Sequence, residues 1–299
     1  MNILLTAPTG QVGARLVSAL APLGTVTALG RGDFDLARPG DLPAVIRSLS
    51  PAVIVNAAAY TAVDDAEREE ALATTVNGTA VGVIAEEACR LGTLLVHYST
   101  DYVFDGRKDG PYGEDDPTSP LNAYGRSKLA GEIAIREAGG AHVLLRTSWV
   151  YGARGRNFLR TMLGLLRERD ELRIVADQVG APTRADEIAD ATAAIVAAAV
   201  RERAEGRFAP GVFHLTSTGA TTWHGFAAEI LSTARQCGLL PADRAPRLLP
   251  VTTEEYQRPA VRPKNSRLAG GRVKARFGIA LPPWQESLAR CLQAMHTGA

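Results

Sequence analysis

Apolar residues along this 299-residue chain follow two alternating rhythms. Short aliphatic runs at Asn2 to Thr6, Thr25 to Leu29, Ala52 to Val55, Leu94 to Tyr98 and His142 to Arg146 are too brief for buried helices. They also lack the polar alternation of a half-exposed strand, so they read as strands covered on both faces. Between them apolar positions recur every three to four residues, as at Leu16, Val17 and Leu20, through a long stretch from Ala66 to Leu91, and from Tyr124 onward behind Pro120 and the candidate cap Asn122. Further on come an amphipathic helix from Asn157 to Arg169, an Ala-rich helix from Asp186 to Val200, a strand from Gly211 to Leu215 expected to return to the first sheet, and a helix from Trp223 to Cys237. Strand and helix in alternation predict a doubly wound α/β fold around a parallel sheet. Residues 1–148 and 186–218 form its main unit, and 149–185 and 219–299 a smaller, discontinuous α/β lobe.

In such a sheet, ligands bind beyond the carboxyl ends of the strands, so the strand ends carry the information. After the first comes Ala7-Pro8-Thr9-Gly10-Gln11-Val12-Gly13. Gly10 and Gly13 let backbone approach a pyrophosphate, and the amides from Gln11 and Val12 at a helix start stabilise its charge, although two glycines also suit a plain strand-to-helix turn. The second strand ends at Gly30-Arg31 with no carboxylate for a ribose diol, while a guanidinium there can bind a 2′-phosphate. That favours NADPH over NADH. A solvated loop arginine is the competing reading, and Asp33 and Asp35 lie close enough to serve NADH from a rearranged loop. The third strand leads into Asn56-Ala57-Ala58-Ala59-Tyr60-Thr61, small side chains that leave room for a flat ligand or simply permit tight packing.

The fourth run stops at Ser99-Thr100-Asp101, and about two dozen residues later Tyr124 and Lys128 stand four apart, on one face of a helix. A free phenol titrates near roughly 10, and a neighbouring ammonium favours the phenolate, which makes the tyrosine a better acid. Lys128 can also hold a ribose. With the Thr100 hydroxyl aimed at the same point, the three groups can hold and protonate a carbonyl oxygen while a hydride reaches its carbon. Beyond the next strand, Trp149 can stack on a base or sugar, or merely pack.

Composition narrows the partners. The formal charge is +1 and no Lys/Arg block occurs, which argues against nucleic acid or an anionic membrane as partner. No apolar run approaches the roughly 18 residues of a membrane helix, and the N-terminus reads as a strand instead of a signal peptide, so a cytoplasmic protein is expected. Cys89, Cys237 and Cys291 show neither disulfide nor zinc spacing, and the five histidines no metal-ligand spacing, so no metal is predicted. Arginines number 29 against four lysines, which makes a lysine at 128 a sign that a compact ammonium is needed there.

The run Ser-Thr-Asp-Tyr-Val-Phe-Asp-Gly from Ser99 to Gly106, followed by Tyr124-Gly-Arg-Ser-Lys128, resembles the active site of extended short-chain dehydrogenase/reductases, and within them the dTDP-4-dehydrorhamnose reductases. The runs Asp177 to Thr183 and Arg262 to Leu268 resemble two further signatures of that family. The resemblance implies a Rossmann-type sheet and NADPH- or NADH-dependent reduction of the 4-keto group of a dTDP-linked 6-deoxyhexose. It implies Asp35 and Leu36 beside the adenine, Ala57, Ala58, Ala59 and Thr61 beside the ribose and nicotinamide, and Asn77 as a brace. It assigns Thr100, Asp101, Tyr102, Trp149, Arg262 and Asn265 to the sugar nucleotide. Relatives of this kind also reduce other dTDP-keto-sugars, such as dihydrostreptose precursors, or serve as non-catalytic regulatory subunits, a role against which the intact Thr100, Tyr124 and Lys128 argue. Two positions depart from the pattern. Ala7 stands where a glycine is expected, and Arg15 where several members carry a glutamate implicated in a magnesium-bridged dimer, so neither metal nor dimer carries over and the oligomeric state stays open.

Overall fold

The computed structural model describes residues 1–298. Its first half comprises β1 (Asn2–Thr6), α1 (Gln11–Leu20), β2 (Thr25–Leu29), α2 (Leu42–Leu49), β3 (Val53–Asn56), α3 (Val63–Ala66), α4 (Glu70–Thr74), α5 (Ala80–Arg90), β4 (Leu94–Thr100), α6 (Ala123–Ala138) and β5 (His142–Thr147). There follow β6 (Val150–Tyr151), α7 (Phe158–Glu168), β7 (Glu171–Val175), β8 (Val179–Gly180), β9 (Thr183–Arg184), α8 (Ala185–Ala204), β10 (Gly211–His214), β11 (Thr221–Thr222), α9 (Trp223–Gln236), β12 (Arg247–Val251), α10 (Gly271–Phe277) and α11 (Trp284–Thr297).

Six parallel strands in the order β10-β5-β4-β3-β1-β2 make the main sheet. Its strands alternate between two cores, as the two-residue period of a pleated strand requires. Ile3, Leu5, Val53, Val55, Leu94, Val96, Val143 and Leu145 pack toward α1 and α8. Their neighbours Leu4, Ile54, Leu95 and Leu144 pack toward α2, α5 and α6. Each such side chain, buried from water, contributes about 1.5–3 kcal/mol. The expected return of the strand after α8 is found, with β10 paired to β5 from Gly211↔Val143 to His214↔Arg146. A separate core joins α7, α9 and α11 through Leu159, Leu166, Phe226, Ile230, Leu288 and Leu292. No helix among the described residues is long and apolar enough to cross a membrane.

Three expectations need correction. The helix expected from Ala66 to Leu91 is broken into α3, α4, a π-helical turn at Thr75–Thr79, and α5. Its cause is Asn77, whose side chain bonds outward to Tyr60 and Ser127 while Gly78 presses on Ala130, so the wide turn satisfies two neighbours at once. β4 does not end at Tyr98 but runs to Thr100, because Ser99 and Thr100 stay paired with Arg146 and Thr147 of β5. Finally, 219–299 does not lie wholly with the smaller core. Val273 of α10 and Leu281 just after it join the main-sheet core, and Arg276 binds Glu202 of α8 at 2.6 Å.

Candidate active site

At the end of β1 the chain turns sharply into α1. Ala7 takes the left-handed conformation, φ 52°, that a glycine adopts without strain. A Cβ on Gly13 would lie 2.0 Å from the Ala7 carbonyl oxygen, so this helix crosses the strand end as closely as glycine permits. No side chain caps α1 at Gly10, which leaves its first amides for a ligand. Val12 packs on the main core, and the Gln11 Oε1 accepts from Asn157 Nδ2 at 3.0 Å, a tie to the cap of α7. Arg15 pairs with Asp186 of α8 at 2.9 Å.

Beside this turn lies a cavity of about 460 Å3 whose walls include Ala7, Arg31, Asp35, Leu36, Ala58 and Ala59. Arg31 is exposed and makes no ion pair among the described residues, while Asp35 accepts the Ala37 amide at 3.0 Å. Ala57 packs against the main core and Thr61 is exposed.

A second and larger cavity, about 600 Å3, opens between the core of α7, α9 and α11 and the 256–262 segment, with Asp64, Phe158, Gln178, Trp223, Tyr256 and Arg262 in its walls. Arg262 is clamped by Asp64, at 3.0 Å from Oδ1 and 2.9 Å from Oδ2. Burial raises the Asp64 carboxyl, but bonds from Arg262 and the Ala260 amide outweigh it and leave the group below its ordinary value. Residues Ala58 to Asp64 thus run from one cavity to the other.

Thr100 and Tyr124 meet beside that segment, Tyr124 packing with Tyr60 on one small cluster. The Thr100 hydroxyl donates to Asp101 Oδ1 at 3.0 Å and accepts from the Tyr102 amide at 3.2 Å. Asp101 is buried with Oδ2 unpartnered, and desolvation raises it to about 6. Asn122 caps α6 by accepting from the Gly125 amide, and Gly125 sits so near the Tyr102 carbonyl that a Cβ would fall 2.3 Å from it. That contact carries Tyr124 in beside Tyr102, their rings edge to face at 5.6 Å. The phenol of Tyr124 is not depressed as expected. Burial pushes it above the ordinary value, and the Thr100 hydroxyl offsets only part of that. Lys128, 2% exposed, points elsewhere: Nζ donates to the Tyr98 carbonyl at 2.6 Å and lies 3.2 Å from His97 Nε2. Desolvation lowers its amine to about 8, against the pull of Glu132. Below, Ser99 and Arg146 both bind the fully buried Glu132.

The remaining anticipated residues are spread differently. Trp149, at φ 48°, stacks on Trp223 at 3.6 Å and lies against Gly180, and it is Trp223 that stands in the cavity wall. Asn265 spends its amide on Lys108 O, Gly110 O and Arg267, bracing the 262–268 run against the 105–112 loop. Sequence reasoning missed Asp64, Gln178, Trp223, His97 and Asn56. Gln178 lay inside a noticed signature, and the Trp223 Nε1 donates to it at 3.2 Å.

Comparison with known proteins identifies the family. A family model described as RmlD substrate binding domain matches residues 1–297. A dTDP-4-dehydrorhamnose reductase of Burkholderia thailandensis is 53% identical over 293 residues, 98% of each chain. Among solved structures, a dTDP-4-dehydrorhamnose reductase of Bacillus anthracis in complex with NADP superposes with a TM-score of 0.85 at 32% identity, covering 97% of this chain and 98% of that one. A Clostridium acetobutylicum dTDP-4-dehydrorhamnose reductase gives 0.88 at 33%, covering 99% of both.

Proposed function

Since this chain belongs to the RmlD family of dTDP-4-dehydrorhamnose reductases, we propose that it reduces the 4-keto group of dTDP-4-dehydrorhamnose, using a reduced nicotinamide dinucleotide. The observation that carries this reading is the meeting of Thr100 and Tyr124 beside the segment that joins the two cavities, where Tyr124 packs on the same small cluster as Tyr60. The smaller cavity fits a dinucleotide: its glycine turn admits a diphosphate closely, and Arg31 is free to take a 2′-phosphate. Gly10 to Gly13, Asp35, Leu36, Ala58 and Ala59 would hold that cofactor, which when bound supplies the hydride. The larger cavity would take the sugar nucleotide, with Gln178, Trp223 and Arg262 as its polar and aromatic contacts.

The chain's own residues handle the proton. Because burial raises its phenol, Tyr124 keeps its proton at neutral pH and can give it to the oxygen of the carbonyl being reduced. Thr100 orients that oxygen by hydrogen bonding. The negative charge left on Tyr124 is favoured by Lys128, one turn along the helix, in its ammonium form, acting from a distance because Nζ is held at the Tyr98 carbonyl. Three free cysteines among the described residues suit a reducing compartment, and we assign the reaction to the cytoplasm. Tyr124→Phe keeps the ring and removes the acid. Its turnover of dTDP-4-dehydrorhamnose, followed by loss of nicotinamide absorbance, should drop by about 100-fold or more with NADPH binding retained. A wild-type rate in that variant overturns the assignment.

A further inference from the structure

Hydrogen-bond accounting beneath Lys128 fixes the proton on a buried histidine. The Ala58 amide, which can only donate, faces Asn56 Oδ1 at 3.2 Å, and the Thr6 hydroxyl reaches the same oxygen at 2.7 Å. The Asn56 amide nitrogen is therefore the atom 3.1 Å from His97 Nδ1, and it too can only donate. Nδ1 must accept. His97 is 1% exposed and desolvation holds it neutral, so its one proton sits on Nε2, facing Lys128 Nζ at 3.2 Å. Only an amine with a free lone pair can receive that proton. Such an amine still donates to the Tyr98 carbonyl at 2.6 Å, so both of its bonds are satisfied.

We infer that His97 is a positioning residue for Lys128, seating its amine between Nε2–H and the Tyr98 carbonyl and favouring the uncharged form there. This rests on Lys128 serving the reaction as proposed above. The other ionisable groups around the amine are Tyr124 and Glu132, one turn to either side on α6, and Arg146 of β5, which already binds Glu132. Burial opposes the ammonium and Glu132 favours it; an Nε2–H aimed at Nζ adds to the opposition. The seat thus lowers the proton affinity of a lysine that the reaction needs as a cation.

Wild-type protein labelled with 15N-histidine tests this without any variant. His97 is expected to show the Nε2–H tautomer, and its Nε2 signal to follow a titration near pH 8 that disappears in Lys128→Met. The Nδ1–H tautomer, or a signal indifferent to pH between roughly 7 and 10, overturns the inference. His97→Asn keeps a polar group toward Asn56 but loses its reach to Nζ. The alkaline limb of its kcat/KM for NADPH should move up by about one pH unit. An unmoved limb alongside lost thermal stability means that His97 only packs, and overturns the inference alone. Normal turnover by Lys128→Met overturns the role of Lys128 as well.

Discussion

At the scale of single residues, charge placement is expected to set cofactor choice. Arg31 lines the smaller cavity without an internal partner, and Gly30 beside it carries no carboxylate to repel a phosphate. NADPH is expected to bind about tenfold more tightly than NADH, since solvent screens part of the charge-assisted contact. Arg31→Ala should erase that preference by weakening NADPH and sparing NADH, as dissociation constants would read. Equal losses for both would mean that Arg31 does not read the phosphate. The place of Arg31 at the cavity was legible because a strand end in a parallel sheet is a ligand edge whatever the rest of the fold does. His97 was not. A histidine in an apolar run looks like any core histidine, and its partner depends on how a helix 30 residues away lies on the strand. Once that is known the logic is simple: His97 and Ser99 point to one side of β4, and meet Lys128 and Glu132, one turn apart on α6.

At the scale of elements, α6 is held at its working height by glycines. A Cβ on Gly131 would lie 2.2 Å from the Asn77 carbonyl oxygen of the π-helical turn. Gly131→Ala should therefore push helix and turn apart, costing about 1–3 kcal/mol of stability by overpacking. Because Asn77 also holds Ser127 and the backbone of Tyr60, turnover should fall by more than NADPH affinity does. Thermal melts with steady-state kinetics would show it, and an unchanged melting point would refute the tight contact. Strand and helix alternation was plain in the sequence because strands covered on both faces are short, continuous and apolar. The π-turn was not, since an asparagine in a helical pattern carries no local mark of the distant groups it bonds.

Across the whole molecule, one short segment serves both cavities. Ala58 and Ala59 wall the smaller one, and a few residues further on Asp64 clamps Arg262 in the larger. Asp64→Asn should free that guanidinium and raise KM for the sugar nucleotide several-fold, with NADPH affinity measured alone unchanged. In the wild type the same loss should appear only as pH falls below the ordinary carboxylate range, because the folded-state carboxyl titrates lower than in the unfolded chain. A KM indifferent to the substitution would leave the clamp a surface ion pair. The side on which α10 settles was not legible from periodicity, since it rests on Val273 reaching the main-sheet core and on Arg276 finding Glu202. The shared segment also has an evolutionary consequence. Because Ala58 to Tyr60 border one cavity and Asp64 the other, a backbone shift within this segment is expected to reach both ligands, so a new sugar specificity is more readily acquired through Trp223, Gln178 or the 253–262 loop, which border one cavity only.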